Sequence, residues 1–340
     1  MMSMQTITSN KRLMTHVVIS QPGAPEVLQL QQTGIPVPKA DEVLVKVYAA
    51  GVNRPDVLQR KGLYPMPAGV TPVPGLEVAG IVVAIGDQVS QFDIGHKVCG
   101  LANGGGYAEY CVLPASQTLP IPKGLSFVQA AAIPETFFTV WANLFQMAQA
   151  KAGNTVLIHG GGSGIGTTAL MLCQAVGIRA FATAGSAEKC AAIAHLCTAI
   201  NYREQDFEQV VLEATGQRGV DILLDIVGAP YFSKNLNVLA RDGRLVIIGF
   251  MGGATVKDVD LMQVMLKRAV ITGSTMRART SGEKAEIAQN LQKHVWPLLA
   301  SGKCLPMIHH VFDFKEVVQA HQMMEQDKHV GKIVLQLKAD

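Results

Sequence analysis

The 340-residue sequence contains no apolar run of about 18 residues, so it offers no candidate for a membrane-spanning helix. It also lacks a strong charge imbalance, because the formal net charge is +3 and the 29 lysines and arginines are scattered without a basic stripe. These absences argue against a membrane or nucleic-acid partner. The start, MMSMQTITSNKRLM, has no long apolar core, so we expect a cytoplasmic protein whose residues 1–15 form a mobile arm.

Cysteine patterns that indicate disulfide or metal frameworks are missing as well. The six cysteines form no C-x-x-C pair and follow no regular spacing. We therefore expect no disulfide framework and no metal site, and we interpret four of the cysteines as small buried hydrophobes.

The segment 154–170, NTVLIHGGGSGIGTTAL, places a short apolar strand before a glycine cluster and a helical pattern. Such a turn lets backbone N–H groups approach a pyrophosphate, and the helix dipole favours the negative charge. A strict G-x-G-x-x-G does not occur, because the middle position carries serine, and a plain flexible turn is the alternative. The residues predicted to bind a dinucleotide here are Gly161, Gly162, Ser163, Gly164, Ile165 and Gly166.

Strand-like and helical stretches alternate after this turn, which predicts βαβ units and a parallel sheet. The predicted strands are 155–159, 179–183, 199–202, 221–226, 244–248 and 269–272. The predicted helices between them include 166–176, 187–196, 207–215 and 231–240. Together they predict a doubly wound α/β domain of the Rossmann type.

The end of the second predicted strand distinguishes NAD from NADP. An NAD site has an acidic residue there, whereas this chain has Gly185 and Ser186, with Lys189 one turn into the next helix. A hydroxyl and a cation suit a 2′-phosphate, and Tyr202 is placed to close over it, so we predict NADPH as the cofactor. Glu188 is a counter-indication, and an ordinary solvated lysine is the alternative for position 189.

The sequence from His16 to about Gly100 has a different pattern: short β-prone runs that glycine and proline interrupt. This pattern predicts a small, bent sheet or partial β-barrel, and the stretch 308–337 returns to it. We therefore predict a discontinuous outer domain, residues 1–138 and 279–340, with the Rossmann domain, residues 139–278, inserted between its parts.

A series of segments follows a familiar order: AAGVNRPDVLQRKGLYPMP, PGLEVAGIVVAIG, AAAIPETFFTVW, HGGGSGIGTTAL, ATAGS, INYRE and GKIVLQL. In this order the chain resembles the zinc-free medium-chain dehydrogenase/reductases, and among them the quinone oxidoreductases related to zeta-crystallin. IPE, GFMGG and TMRART resemble the p53-inducible quinone oxidoreductase branch. The resemblance implies a GroES-like outer domain, NADPH-dependent reduction of a quinone-type acceptor, and a homodimer joined through the sixth strands.

The resemblance also bears on metal binding. Zinc-dependent members of the superfamily have a cysteine where this chain has Asn53 and a His-Glu pair where it has Leu76 and Glu77. The four-cysteine structural lobe has no counterpart either, so zinc is not expected. Hydride donation to an electron-poor acceptor needs less help from a Lewis acid than alcohol oxidation does.

By the same resemblance, Asn53 and Tyr64 are the catalytic candidates. Asn53 would orient the carboxamide or a substrate carbonyl, and Tyr64 would stabilise charge on the reduced oxygen. A helix cap is the alternative for Asn53, and packing against Pro65 and Pro67 is the alternative for Tyr64. Besides Asn53, the implied cofactor contacts are Thr139, Gly249, Phe250, Met251, Ser274, Thr275 and Lys332, with Arg277 beside the cleft; turn chemistry or surface solvation is the alternative for each.

Three functions stay open at this point. The first is an NADPH-dependent quinone reductase, and the second is a reductase of α,β-unsaturated carbonyl compounds with the same cofactor geometry. The third is a protein that binds NADPH without catalysis. Only acceptor kinetics can separate the first two. A pure binding module has no need of a polar cleft beside the hydride, which argues against the third. We favour the first, which the resemblance implies.

Overall fold

The computed structural model describes residues 12–64, 66–67 and 69–339. Most of the predicted arm, residues 1–15, lies outside the described residues, and the first strand begins at Leu13, before the predicted start of the sheet at His16. The strands are β1 Leu13–Ile19, β2 Leu28–Gly34, β3 Glu42–Val52, β4 Glu77–Ile85, β5 Lys97–Leu101, β6 Tyr110–Pro114, β7 Thr118–Pro120, β8 Thr155–His159, β9 Arg179–Ala184, β10 Thr198–Asn201, β11 Val220–Asp225, β12 Leu239–Ile247, β13 Val270–Gly273, β14 Ile308–Asp313 and β15 Lys332–Gln336.

The helices connect these strands and cover the sheets. They are α1 Arg54–Arg60, α2 Phe127–Ala131, α3 Pro134–Val140, α4 Gly164–Val176, α5 Ala187–Ile193, α6 Phe207–Ala214, α7 Phe232–Val238, α8 Leu261–Lys267, α9 Ser281–His294, α10 Trp296–Ala300 and α11 Val317–Gln326. A π-helical segment, Trp141–Met147, continues α3. No helix in the described ranges is long and apolar enough to cross a membrane.

The outer sheet is mixed and has the order β14-β15-β3-β4-β5-β7, with β6 paired to β3. The long strand β3 pairs antiparallel with β4, β6 and β15, which brings the end of the chain beside its beginning. The return of the C-terminal stretch to the outer sheet is therefore observed. The limits of the two predicted domains, near residues 138 and 279, stay predictions.

The inner sheet is parallel and has the order β10-β9-β8-β11-β12-β13. All six predicted strands are present, and the winding reverses between β8 and β11, which confirms the doubly wound fold. Some boundaries differ from the predicted ones. The largest difference is at β12, which begins at Leu239 instead of residue 244; α7 ends at Val238 instead of residue 240, and α5 ends at Ile193 instead of residue 196. Leu239 and Ala240 are buried as strand residues, and a turn with a positive φ of 65° at Asp242 follows them within the strand.

The main core joins the two sheets. Phe137 and Phe138 of α3 are fully buried in a cluster that contains Ala79 of the outer sheet and Ile158 of the inner sheet. The C-terminal end of β8, the start of α4 and the polar residues of the outer sheet are thereby held in a fixed relation. Four cysteines are buried with free thiols, as the sequence predicts: Cys99, Cys111, Cys173 and Cys304.

Candidate active site

The glycine turn lies between β8 and α4, beside the point where the winding of the sheet reverses. A Cβ on Gly166 would lie 2.2 Å from the Gly160 carbonyl oxygen, and one on Gly161 would lie 2.6 Å from the Ala182 side chain. Neither position has room for a side chain. The Ser163 hydroxyl caps α4 by accepting from the Gly166 N–H at 3.0 Å, which explains serine at the middle position of the motif.

The C-terminal loop closes on this turn. The Gly331 N–H donates to the Gly162 carbonyl oxygen at 2.8 Å. The Lys332 side chain passes the start of α4, because a Cβ on Gly164 would lie 2.8 Å from Lys332 Cδ. Ile165 is partly buried against the main core. The structure thus brings Lys332 and the glycine turn together, although 166 positions separate Gly166 from Lys332 in the chain.

The residues predicted for a 2′-phosphate also lie together. The Ser186 hydroxyl caps α5 by accepting from the Lys189 N–H at 3.3 Å. A Cβ on Gly185 would lie 2.8 Å from the Tyr202 hydroxyl, so this hydroxyl lies over the turn. Hydrogen bonds to its own backbone N–H and to the Ser186 hydroxyl lower the pKa of Glu188. The Glu188 carboxylate therefore does face Ser186, and the counter-indication from the sequence stands.

Lys189 already has a carboxylate partner. Its Nζ is 3.0 Å from Asp327 Oδ1, and the two side chains are 13% and 58% exposed. The methylene groups of Lys189 cover the turn, because a Cβ on Gly162 would lie 3.3 Å from Lys189 Cδ. Asp327 ends α11 in the left-handed conformation, with φ at 51°. A 2′-phosphate at this place would therefore compete with Asp327 for the Lys189 ammonium group.

Asn53 occupies the N-cap position of α1 and also belongs to a buried polar cluster. Its amide Nδ2 donates to Glu77 Oε1 at 2.9 Å, and its Oδ1 accepts from Lys332 Nζ at 2.5 Å. Lys332 also pairs with Glu77 at 2.6 Å, and both side chains are almost fully buried. Capping and clustering are thus compatible at Asn53. The amide is held by two charged partners that come from distant segments.

Asp56 extends this cluster away from the glycine turn. The fully buried carboxyl group accepts from the N–H groups of Asn53 and Gly75 at 2.8 and 3.1 Å, and from the Tyr107 hydroxyl at 3.1 Å. Burial raises the pKa of Asp56 to about 6, although these hydrogen bonds oppose the rise. The carboxyl group therefore titrates close to neutral pH.

Glu135, within the IPE segment, lies on the other side of the cluster. Its backbone N–H donates to Glu77 Oε2 at 2.8 Å. Burial raises the pKa of Glu135 to about 7; the Lys332 charge opposes this rise, and the charges of Glu77 and Asp56 reinforce it. The Glu135 charge in turn raises the pKa of Tyr64, which puts Glu135 within electrostatic reach of that phenol.

Tyr64 is half-buried, and its ring lies against a guanidinium group. The Arg277 carbon Cζ is 4.2 Å from the centre of the Tyr64 ring. Burial raises the pKa of Tyr64, whereas the Arg277 charge and a hydrogen bond with Thr275 lower it. Tyr64 is therefore a neutral phenol near pH 7 and able to donate a hydrogen bond. Of its two alternative packing partners, Pro65 and Pro67, the first lies outside the described residues.

Thr139 and Ser274 lie on facing elements. The Thr139 hydroxyl is buried without a hydrogen-bond partner in the described part of the chain, and a ligand amide would supply one. The Ser274 hydroxyl donates to Asn143 Oδ1 at 2.7 Å, and Asn143 Nδ2 donates to the Thr139 carbonyl oxygen at 2.8 Å. Ser274 is thus tied to the helix that carries Thr139.

The loop after β12 lies next to the glycine turn through Ile226. The Met251 N–H donates to the Ile226 carbonyl oxygen at 3.0 Å. A Cβ on Gly249 would lie 3.2 Å from that oxygen, and one on Gly160 would lie 2.3 Å from Ile226 Cδ1. Phe250 and Met251 expose 57% and 63% of their surface. Their side chains are therefore available to cover a bound group.

The residues at the positions of zinc ligands do not fit zinc. Asn53 and Glu77 have the Lys332 ammonium group between them, and Leu76 supplies no donor atom. In the ranges that the structure describes, no group of three or more His, Cys, Asp or Glu side chains is placed to hold a metal ion. The positive charge in this cluster belongs to a lysine.

Sequence reasoning missed three acidic groups of this region. The N-x-x-D spacing of Asn53 and Asp56 is a capping signal that could have indicated Asp56. Glu135 follows a proline at the start of a helix, which is a weak signal for a buried acid. Asp327 has no local signal, because its pairing with Lys189 exists only in the folded chain.

Comparison with known proteins agrees with this architecture. Residues 39–123 match the family model of the alcohol dehydrogenase GroES-like domain, and residues 196–335 match that of zinc-binding dehydrogenases. The quinone oxidoreductase of Sus scrofa is 33% identical over 338 residues, which cover 97% of this chain and 100% of that protein. The quinone oxidoreductase of Homo sapiens is 31% identical with the same coverage.

Solved structures show the same relationship. Pseudomonas syringae pv. Tomato DC3000 quinone oxidoreductase has a TM-score of 0.83 and 30% identity, covering 95% of this chain and 99% of that one. Escherichia coli quinone oxidoreductase complexed with NADPH has the same TM-score and coverage at 29% identity. Fold and site together define a medium-chain dehydrogenase/reductase with a site for a nicotinamide cofactor. Within that class, the chain belongs to the quinone oxidoreductases related to zeta-crystallin.

Proposed function

We propose that this protein is an NADPH:quinone oxidoreductase that works without zinc. The observation that carries the proposal is the Lys332 ammonium group between Asn53 and Glu77, at the place where zinc-dependent relatives have metal ligands. The cleft offers hydrogen-bond donors and a fixed positive charge, which suit an electron-poor carbonyl acceptor. The names of the relatives, and the NADPH in the Escherichia coli structure, support the same assignment.

NADPH, when bound, would supply the hydride. The backbone N–H groups of residues 161–166 would hold its pyrophosphate at the start of α4. Ser186, Lys189 and Tyr202 would hold the 2′-phosphate, with Gly185 leaving room for it. The unpartnered Thr139 hydroxyl fits the carboxamide side of the cofactor, where Ser274 and Thr275 lie near.

The acceptor would lie between Asn53 and Tyr64. A quinone that gains one hydride and one proton becomes a hydroquinone, so the site must stabilise an anionic oxygen and provide a proton. The neutral Tyr64 phenol donates a hydrogen bond to that oxygen, and the proton comes from Tyr64 or from water. Asn53, fixed by Glu77 and Lys332, orients the carboxamide or the carbonyl.

Two further parts of the proposal concern assembly and location. The edge strand β13 and the preceding helix α8 expose several apolar side chains, which a second copy would cover. These are Leu261, Met262, Met265, Leu266, Val270 and Ile271. We expect a homodimer, and a monomer by light scattering at micromolar concentration would contradict it. The free thiols fit a cytoplasmic location.

The decisive experiment is steady-state oxidation of NADPH and NADH with ortho-quinones, para-quinones and enones. We expect quinones to be reduced with NADPH preferred. Ser186→Asp is a matched variant, because aspartate also caps a helix while its charge repels a 2′-phosphate; it should lower kcat/KM for NADPH and spare NADH. Better turnover with NADH in the unmodified protein would reject the assigned 2′-phosphate site, and enones as the only acceptors would favour the alternative activity.

Metal content tests the other half of the proposal. Freshly purified protein should contain no stoichiometric zinc, and a chelator should leave quinone turnover unchanged. Stoichiometric zinc together with loss of turnover on chelation would overturn the zinc-free mechanism. Tight NADPH binding without turnover of any quinone or enone would instead indicate a non-catalytic protein.

A further inference from the structure

Arg277 lies on Tyr64, and part of its guanidinium group has no partner among the described residues. The ring supports one face of the guanidinium, and Nη2 is 3.0 Å from the Met66 sulfur. Nη1 is buried and has no hydrogen-bond partner in the described part of the chain. A buried N–H group without an acceptor costs free energy. Among the described residues, Nη1 of Arg277 therefore lacks an acceptor, which a bound anion would supply.

Lys284, on α9, brings a second cation to the same place. The residue is only 6% exposed, and its Nζ donates to Asn103 Oδ1 at 3.1 Å. The next residue, Gly104, lies against Met66, because a Cβ there would be 3.2 Å from Met66 Cε. Burial lowers the pKa of Lys284, and the charge of Arg277 lowers it further.

The two charges have no carboxylate partner within the part of the chain that the structure describes. Among the described residues, neither Arg277 nor Lys284 forms an ion pair, whereas the nearby Arg279 pairs with Glu283 at 3.7 Å. Two neighbouring cations that are partly removed from water repel each other, and a bound anion relieves both the repulsion and the desolvation. Guanidinium groups with a free edge bind carboxylate, sulfonate or phosphate oxygens well.

The position of these two cations indicates that they bind the acceptor and not the cofactor. Arg277 packs on Tyr64 and follows Thr275, while the groups proposed for the cofactor phosphates lie at the end of β9 and at the glycine turn. We infer that Arg277 and Lys284 form an anion-binding subsite at the acceptor end of the cleft. The preferred acceptor is then a quinone or conjugated carbonyl that carries a carboxylate, sulfonate or phosphate group. This inference rests on the proposed function, because its kinetic test measures quinone turnover.

The test compares an unsubstituted naphthoquinone with its sulfonate as acceptors, with NADPH saturating. Arg277→Met removes the charge and keeps an apolar side chain against Tyr64 and Met66. We expect kcat/KM for the sulfonate to fall about tenfold to a hundredfold more than kcat/KM for the neutral quinone, as for loss of a charge-assisted hydrogen bond. Lys284→Met should act in the same direction, and Arg277→Lys should restore part of the loss.

Arg279→Met is the matched control. It removes an arginine two positions away that already has a carboxylate partner, so the ratio between the two acceptors should not change. Melting temperatures of all variants identify any that fail to fold. A changed sulfonate preference in Arg279→Met alone would reject the assignment to Arg277.

Equilibrium binding separates this inference from the proposed function. Naphthalene sulfonate and naphthalene methanol are titrated against the unmodified protein and Arg277→Met by intrinsic fluorescence, without turnover. Tighter binding of the sulfonate that Arg277→Met abolishes supports the subsite even if no quinone is reduced. Equal binding of both probes, equal losses for both quinones, or a weaker NADPH affinity in Arg277→Met would overturn it.

Discussion

The glycine turn and the polar cluster around Lys332 are built in opposite ways. The turn comes from one continuous segment, 154–170, and space limits the substitutions that it accepts, because side-chain or backbone atoms lie close to its glycines. The cluster joins Asn53, Glu77 and Lys332, and 279 positions separate the first from the last. Electrostatics limits the substitutions that the cluster accepts, because all three side chains are buried. A local pattern thus defines the first region, and only the folded chain defines the second.

Breaking the cluster should have the largest effect. Lys332→Met leaves the Glu77 carboxylate buried without its charged partner, which costs about 3–5 kcal/mol of unfolding free energy. The double variant Glu77→Gln/Lys332→Met should recover a large part of this loss, since no buried charge remains. Urea unfolding of the single and double variants measures both effects.

Lys234→Met is the control for this experiment. Lys234 pairs with Asp206 at 2.7 Å, but the two side chains are 45% and 43% exposed. Its removal should cost less than about 1 kcal/mol. If Lys332→Met costs no more than Lys234→Met, the cluster is not the buried ion pair described above.

The buried polar cluster, unlike the glycine turn, should make stability depend on pH through Asp56. The pKa of this carboxyl group rises from 3.8 to about 6 in the folded chain, so the folded protein holds the proton more tightly than the unfolded one. Its contribution to stability is present at low pH and is lost as pH rises from about 4 to about 7, by roughly 2–3 kcal/mol. Asp56→Asn cannot titrate. The stability advantage of the unmodified protein over this variant should therefore shrink as pH rises, in urea unfolding at a series of pH values; a constant or growing difference would contradict the raised pKa.

Gly166→Ala tests the steric restriction at the glycine turn. Alanine usually stabilises a helix relative to glycine, but here its Cβ would meet the Gly160 carbonyl oxygen. We expect a loss of about 1–3 kcal/mol in unfolding free energy, together with weaker NADPH binding by calorimetry. Gly282→Ala, on α9 with nothing within 4 Å of the new Cβ, should be neutral or stabilising by up to about 1 kcal/mol. Equal behaviour of the two variants would exclude the close contact.

The contrast between a local turn and a cluster of remote residues explains which features could be predicted from the sequence. The six strands of the inner sheet and the glycine turn before α4 could be predicted, because hydrophobic period and glycine placement are local signals. The caps at Ser163 and Ser186 were not predicted, although serine before a helix is a capping signal. The partners of Lys189 and Lys332 could not be predicted, because an ion pair between remote segments depends on tertiary packing. Arg277 was equally compatible with a surface position until the structure placed its guanidinium on Tyr64.

The smallest expected effect concerns the junction between the turn and the C-terminal loop. Asp327→Asn removes the carboxylate that occupies Lys189 and keeps a side chain that tolerates the left-handed conformation at this position. We expect the dissociation constant for NADPH to fall about two- to fivefold, because a partly exposed ion pair contributes less than about 1 kcal/mol. Affinity for NADH, which has no 2′-phosphate, should stay the same.

Asp242→Asn provides a closely matched control. Asp242 also has a positive φ, of 65°, and also pairs with an arginine, Arg268, but it lies in the turn within β12, away from the site. Its substitution should leave both cofactor affinities unchanged. If Asp327→Asn weakens NADPH binding instead, Asp327 orients Lys189 towards the phosphate and does not compete with it. Because this competition is electrostatic, the gain should also diminish as the salt concentration rises.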